Sequence, residues 1–442
     1  VSADVPPTPP SSAPPLRLGP ELALLAAAAT IGILGSLGAY GFTVLAHEAE
    51  TLVWHTAPGW WGAHEAPWWW VLGVLAVGGA AVAGAIRLPG HGGHHPLDPL
   101  SFDIGPSAIG STLLAAFATL AAGAVVGPEA PLLAIGTAIA FASARGGLRR
   151  AAPVLAMCGA SAALGVVIGN PLVTAILILE GAVLMGGVAH RRTVVLVRLL
   201  PVVVALGAGY LTRVGVGAWT GLSTHPLDLG ALEPYPTVRL RDLLPALAVA
   251  LVTALLLAGV VRGARLLRGR IAPLPGLVAG GVVVGLLAIA TRAATGEPVS
   301  VVLFSGQADL GTMMGLASAG ALLLIAAAKA TAYGVSLGVG FRGGTIFPGI
   351  AVGVALASAA HAALPGSALP ALAAAGVAAA VGAVLGLPFT AVLFGFLLLA
   401  PAGPAVTVPA VLGAVVGVLV EAWVDDRVTV QPEDELEALT RS

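Results

Sequence analysis

Gly127-Pro128-Glu129-Ala130-Pro131-Leu132-Leu133-Ala134-Ile135-Gly136 has an echo 217 residues further on, in Gly344-Thr345-Ile346-Phe347-Pro348-Gly349-Ile350-Ala351-Val352-Gly353. The two stretches share a frame: a glycine, a proline four residues on, and a second glycine five beyond that. The same offset carries Gly159, Gly165, Gly169 and Pro171 onto Gly376, Gly382, Gly386 and Pro388. Glycine and proline govern turns and close backbone approach, so the copied property is backbone geometry rather than surface chemistry. A repeat of this kind marks an internal duplication. In an apolar chain it points to a two-repeat transporter or channel, with its site where interrupted helices of the two halves meet.

The apolar character is plain. Of 442 residues, 58% are hydrophobic and 9% charged, against about 25% charged in a soluble protein. Mean hydropathy is +0.99. No Asp, Glu, Lys or Arg occurs from Gly343 to Val420, from Ala151 to Leu179, from Trp68 to Ala85, from Leu274 to Ala290 or from Leu310 to Ala328. A bilayer core takes about 20 apolar residues as a helix, so these runs imply an integral α-helical membrane protein with many spans. With 60 Gly and 33 Pro, many spans should be short, tilted or broken, their freed backbone groups facing protein or a cavity.

Helical runs are expected at about 21–46, 68–87, 107–125, 130–144, 151–167, 171–187, 193–214, 242–262, 273–293, 310–336, 347–363, 368–384, 388–400 and 404–424. The division follows: a Pro-rich N-terminal tail (1–18), a first membrane repeat (19–218), an inter-repeat loop (219–240) with Pro226, Pro234 and Pro236, a second repeat (241–426) and a short C-terminal tail (427–442). Net charge −1 gives no nucleic-acid signal, and the lone Cys158 excludes an intrachain disulfide or a multi-cysteine metal site.

Few polar residues interrupt the apolar runs. Glu129 has uncharged sequence from Ile104 to Pro128 and from Ala130 to Ala144. At a helix N-terminus its carboxylate can compete with an anion for the same backbone amides, or it can simply cap the helix at the membrane edge. Glu180 closes the run from Pro171, facing an aqueous vestibule or marking the membrane boundary. The 217-residue offset places Ile346 and Leu397 opposite these two acids, so neither charge is copied with the backbone. Lys329 is the only basic residue of Leu310–Val335; it either snorkels to an interface or lends positive potential to an anion vestibule. His91, His94 and His95 invite a zinc reading, but a Gly-rich turn exposing amides to an anion accounts better for Gly90, Gly92 and Gly93. No His-Glu-x-x-His, Walker A or nucleophile-elbow motif is present, which leaves a membrane enzyme or metal-binding scaffold as a distant alternative. No catalytic residue, metal or cofactor is assigned.

At this point the chain resembles the CLC family of chloride channels and chloride/proton exchangers, over about Leu22–Val420. Gly127-Pro128-Glu129-Ala130-Pro131 is similar to the family's Gly-x-Glu-Gly-Pro signature, and Gly344-Thr345-Ile346-Phe347-Pro348 to its Gly-x-Phe-x-Pro signature with the aromatic displaced by one. Gly92-Gly93-His94-His95-Pro96 approximates the Gly-Ser-Gly-Ile-Pro turn, and Asn170-Pro171 leading to Glu180 is similar to the Asn-Ala-Pro segment and its downstream acid. The resemblance implies a plasma-membrane, multi-pass homodimer of two inverted repeats, with one pore per subunit. It implies chloride or a similar anion held by helix N-termini rather than by full lysine or arginine charges. Glu129 takes the place of the gating glutamate. The anion-binding candidates are Gly93, His94, Gly127, Pro128, Ala130, Thr345, Ile346 and Phe347, with Glu180 and Lys329 on a proton path or vestibule. Three departures stand out. Gly93 replaces the turn's serine, no tyrosine follows Tyr333 to line the pore, and Gly181 occupies the position of the exchangers' second, proton-relaying acid. These departures favour channel-like or uncoupled anion conduction, with proton-coupled chloride exchange as the alternative.

Overall fold

The computed structural model describes residues 18–63, 65–98, 101–184, 192–220, 229 and 232–424. The expected tails lie outside these residues, except that Leu18 already opens the first helix, and residues 221–228, 230 and 231 of the inter-repeat loop lie outside them too. The elements run α1 (Leu18–Thr51), a π turn (Leu52–Thr56), α2 (Ala57–Gly59), α3 (Trp68–Ile86), α4 (Ile109–Ala121), α5 (Glu129–Ser143), α6 (Ala152–Ile168), α7 (Pro171–Leu184) and α8 (Arg192–Thr220). There follow α9 (Leu240–Leu267), α10 (Pro273–Thr295), α11 (Leu310–Gly315), α12 (Ala319–Val339), α13 (Ile346–Ala363), α14 (Leu369–Leu385), α15 (Pro388–Leu399) and α16 (Thr407–Val424). Among the described residues, nine helical stretches are long and apolar enough to cross a membrane, and five shorter apolar helices accompany them. The protein is an all-α, multi-pass membrane protein.

Glycine and proline cut the helices where the repeat places them. Gly169 ends α6 in the left-handed region at φ 72°, and Pro171 opens α7; Gly386 ends α14 at φ 67°, and Pro388 opens α15. A Cβ is disfavoured in that region, and proline suits the first helical turn, whose amide has no intrahelical partner. The helix crossings are copied too. A Cβ on Gly136 would strike the carbonyl of Gly159 where α5 crosses α6, and a Cβ on Gly353 would strike that of Gly376 where α13 crosses α14. Small residues let apolar helices pack backbone to backbone.

Burial sorts the elements. Pro370–Ala383 of α14 is buried on every face, as expected of a helix apolar all round at the centre of a bundle. Helices α1, α9 and α10 instead expose Leu34, Leu37, Leu244, Leu251 and Leu286, which gives them a face for lipid.

Two boundaries differ from expectation. The single run expected at 310–336 is two helices, because the chain extends between Leu316 and Ser318, and the Ser318 hydroxyl then caps α12 by accepting from Ala321 N. Such a cap competes with helix continuation. The first helix also runs on past residue 46 through His47-Glu48 and the π turn to Gly59.

Candidate functional site

The two quoted stretches meet. Gly127 N donates to Gly344 O at 2.8 Å and Gly344 N to Gly127 O at 2.6 Å, an isolated antiparallel bridge between residues related by the repeat. A second reciprocal pair flanks it. Val125 N donates to Ser336 Oγ at 3.2 Å, and Arg342 N donates to Thr119 Oγ1 at 3.1 Å. Thr119 and Ser336, and likewise Val125 and Arg342, stand at the 217-residue offset. Gly123 and Gly340, also a repeat pair, turn the chain out of α4 and α12 at φ 82° and 91°. The bridge therefore aims the N-termini of α5 and α13 at one point.

Glu129, the first residue of α5, is buried there at 2% exposure. Its Oε1 accepts hydrogen bonds from Ile346 N and Phe347 N, both at 3.1 Å. These are the opening amides of α13, which have no intrahelical partner. The place the sequence offers to an anion is filled by the protein's own carboxylate. Glycine at 127 and 344 is what makes room, since a Cβ on either would overlap Glu129 Oε2. That oxygen is buried without a hydrogen-bond partner among the described residues. Tyr333, fully buried, donates its hydroxyl to Thr345 O at 2.9 Å and so fixes the loop entering α13.

A cavity of about 390 Å³ adjoins Glu129. Ala130, Thr345, Ile346, Gly92, His94 and Arg342 are among the residues lining it. Arg268 and Asp98 at its wall form an ion pair at 2.7 Å, and Asp98 Oδ2 also accepts from His95 N at 2.9 Å. Burial, then the Arg268 and Arg342 charges, pushes the His95 imidazole down to about 4, so it is neutral at ordinary pH.

The remaining candidates divide. Gly93 N is spent on Gly90 O at 3.0 Å and Gly127 N on the bridge, so neither amide is free for an anion. Pro128 has no amide hydrogen to offer. His94 borders the cavity, yet its Nε2 pairs with Asp103 Oδ1 at 2.8 Å. His91, His94 and His95 form no metal-holding group with other His, Cys, Asp or Glu among the described residues.

Neither of the two residues expected on a proton path or vestibule lines this cavity. Lys329 neither snorkels nor faces the cavity. It is fully buried, and its Nζ donates to the carbonyls of Val301, Val302, Leu303 and Phe304 at 2.9–3.4 Å. Glu180 is also buried and turned away. Its Oε1 accepts from Phe389 N, and its Oε2 accepts from Thr390 N and Thr390 Oγ1, at 2.7–2.9 Å, capping α15. Gly181, the next residue, is the one at the cavity wall. Sequence reasoning missed Arg342, though one signal was available: a lone charge two residues before the glycine of a motif, where the repeat has valine.

Comparison with known proteins agrees with this architecture. The family described as voltage gated chloride channel matches residues 85–422. The YfeO proteins of Escherichia coli O1:K1 and of Escherichia coli strain UTI89, assigned provisionally to ion transport by name, are 31% identical over 353 residues, covering 76% of this chain and 79% of theirs. Among solved structures, a slow cyanobacterial Cl−/H+ antiporter superposes with a TM-score of 0.73 at 18% identity, over 91% of this chain and 95% of that one. A CLC-type fluoride/proton antiporter gives 0.64 at 18%, over 90% and 95%. The bridged helix ends, the carboxylate between them and the family match lead to one conclusion: this chain belongs to the voltage-gated chloride channel (CLC) family.

Proposed function

We propose that the protein moves a monovalent anion, chloride in the first instance, along a path that Glu129 closes in this conformation. The observation carrying this reading is that Glu129 Oε1 holds the two opening amides of α13 while Oε2, beside the cavity, has no partner among the described residues. Ionised, the carboxylate occupies the amides as an anion would, with a charge-assisted bond to each. Protonated, it loses that advantage, and a permeant anion displaces it. Oriented amides suit the task because they replace part of a halide's hydration yet bind weakly enough to let it leave.

Channel-like or uncoupled transport is the favoured form. Glu180 is held by three donors, and Gly181 leaves the cavity wall at that position without a titratable side chain; the acids that line this cavity are Asp98, Glu129 and Glu421. Coupled exchange is the second reading, favoured by the likeness of the fold to two solved antiporters. Both forms fit a homodimer with one path in each subunit.

Proteoliposomes loaded with chloride, with external chloride and pH recorded together, test the reading. Chloride efflux that moves no protons establishes uncoupled transport, and uphill proton movement driven by the chloride gradient establishes exchange. Impermeability to halides, in vesicles shown to contain folded protein, overturns the proposal.

A further inference from the structure

We infer that a zwitterionic phospholipid, phosphatidylethanolamine in its chemistry, binds in the groove between the start of α3 and the end of α10, with its phosphate on Arg292 and its ammonium on Glu65. The groove shares no lining residue with the cavity at Glu129, so the inference stands apart from the anion-transport reading.

The groove encloses about 410 Å³. Pro67, Trp68 and Val71 line one side and Ile289 and Arg292 the other, and Arg292 is the only charged residue among those lining it. Both α3 and α10 are long and apolar enough to cross a membrane. Arg292 is the first charge after an uncharged run from Ile271 to Thr291, so the groove lies where the apolar spans end. The opposite end of α10 follows Arg262, Arg265, Arg268 and Arg270, which the positive-inside bias places on the cytoplasmic side. The groove therefore opens to the outer interface. Tryptophan sets its depth. Trp60, Trp61, Trp68, Trp69 and Trp70 are five of the eight in the chain, and the first four are exposed. The Trp61 ring lies 5.2 Å from that of Trp70 and 6.2 Å from that of Trp69, and Trp70 Nε1 donates to Val53 O at 3.0 Å, tying the cluster to the π turn after α1. Indole rings favour the headgroup level of a bilayer.

The charges at the rim select the headgroup. Arg292 Nη2 donates to Glu65 Oε2, and Nη1 donates to Ala66 O at 3.5 Å. Both side chains of this ion pair remain part-exposed, and an exposed pair adds little to stability. What it does present is one positive and one negative charge side by side above an apolar groove. A phosphatidylethanolamine headgroup carries the complementary order, a phosphate joined by a short link to an ammonium. The planar guanidinium suits the phosphate, and the ammonium has hydrogens to donate to the carboxylate. A choline headgroup has none to donate, and a purely anionic headgroup meets repulsion from Glu65. One acyl chain then lies in the groove against Trp68, Val71 and Ile289.

The experiment titrates full-length wild type, Glu65→Gln and Arg292→Met in detergent with dioleoyl phosphatidylethanolamine, phosphatidylglycerol or phosphatidylcholine, and counts retained lipid by native mass spectrometry. Wild type should hold phosphatidylethanolamine about fivefold or more tightly than either other lipid, and Arg292→Met should weaken it about tenfold, as expected for loss of a charge-assisted bond. Glu65→Gln should erase the preference over phosphatidylglycerol, a charge-specific change that a merely structural role would not produce. Equal retention of the three lipids by wild type, tighter phosphatidylglycerol, or a preference that survives Glu65→Gln overturns the inference. If a variant does not fold, the wild type decides through its tryptophan fluorescence. Quenching by tail-brominated phosphatidylethanolamine at a lower lipid fraction than by tail-brominated phosphatidylglycerol supports the site, and equal quenching overturns it.

Discussion

The Glu129 carboxylate holds two amides with one oxygen and, among the described residues, nothing with the other, and the residues that allow this are glycines. Replacing Glu129 by Gln removes the charge while keeping the shape. Chloride flux measured against pH should then lose its pH dependence; an unaltered profile would argue against a gating role. A methyl group at Gly344 should act from the other side. The Cβ of Gly344→Ala would overlap Oε2 and push the carboxylate off the α13 amides. Flux near neutral pH should therefore rise toward the Glu129→Gln level, and flux equal to wild type would show that the carboxylate finds another way in. Glu129 stood out because an acid in a long uncharged run is costly in a membrane, and its gating role came from the CLC resemblance. Its acceptor pattern was not, because the amides belong to a segment 217 residues away. Lys329 shows the converse. Its charge was visible in the sequence, but four carbonyls that absorb it come from the turn at Val301–Phe304, and nothing in the periodicity of α12 points to them.

At the scale of elements, the first repeat caps the second. Glu180 on α7 receives the opening amides of α15, and its counterpart position on α15 is Leu397. Glu180→Ala should lower stability by about 1 kcal/mol, the usual cost of a lost N-terminal cap, read as a fall in thermal midpoint in detergent. The pH dependence of flux should stay as in wild type; lost proton movement with retained anion flux would instead make Glu180 a proton carrier. The glycine crossings of α5 with α6 and of α13 with α14 were readable only as a repeat of spacings. A spacing gives no helix its neighbour, because side-chain period fixes a face and not what packs on it. Likewise the break between α11 and α12 depends on Ser318 turning its hydroxyl to Ala321 N, which an apolar run conceals.

For the whole molecule, a CLC-family protein with one path per chain is expected to pair. Leu172 and Phe389, related by the repeat, are both exposed, on α7 and α15, which pack together. Light scattering with correction for bound detergent should give twice the 43.4 kDa chain mass; a single-chain mass would remove the homodimer from the proposal. By itself the sequence determined the membrane class, the duplication, the turns at Gly169 and Gly386 and the singular acid Glu129, because these follow from composition and from residues that act on their own backbone. Only the tertiary structure decided that Gly127 bridges Gly344, that Glu129 sits on the α13 amides, that Lys329 and Glu180 turn away from the cavity and that Arg342 lines it. The reason is physical: a buried polar group goes where its partners are, and these lie on the opposite repeat for Glu129 and Glu180 and on a separate turn of the same repeat for Lys329.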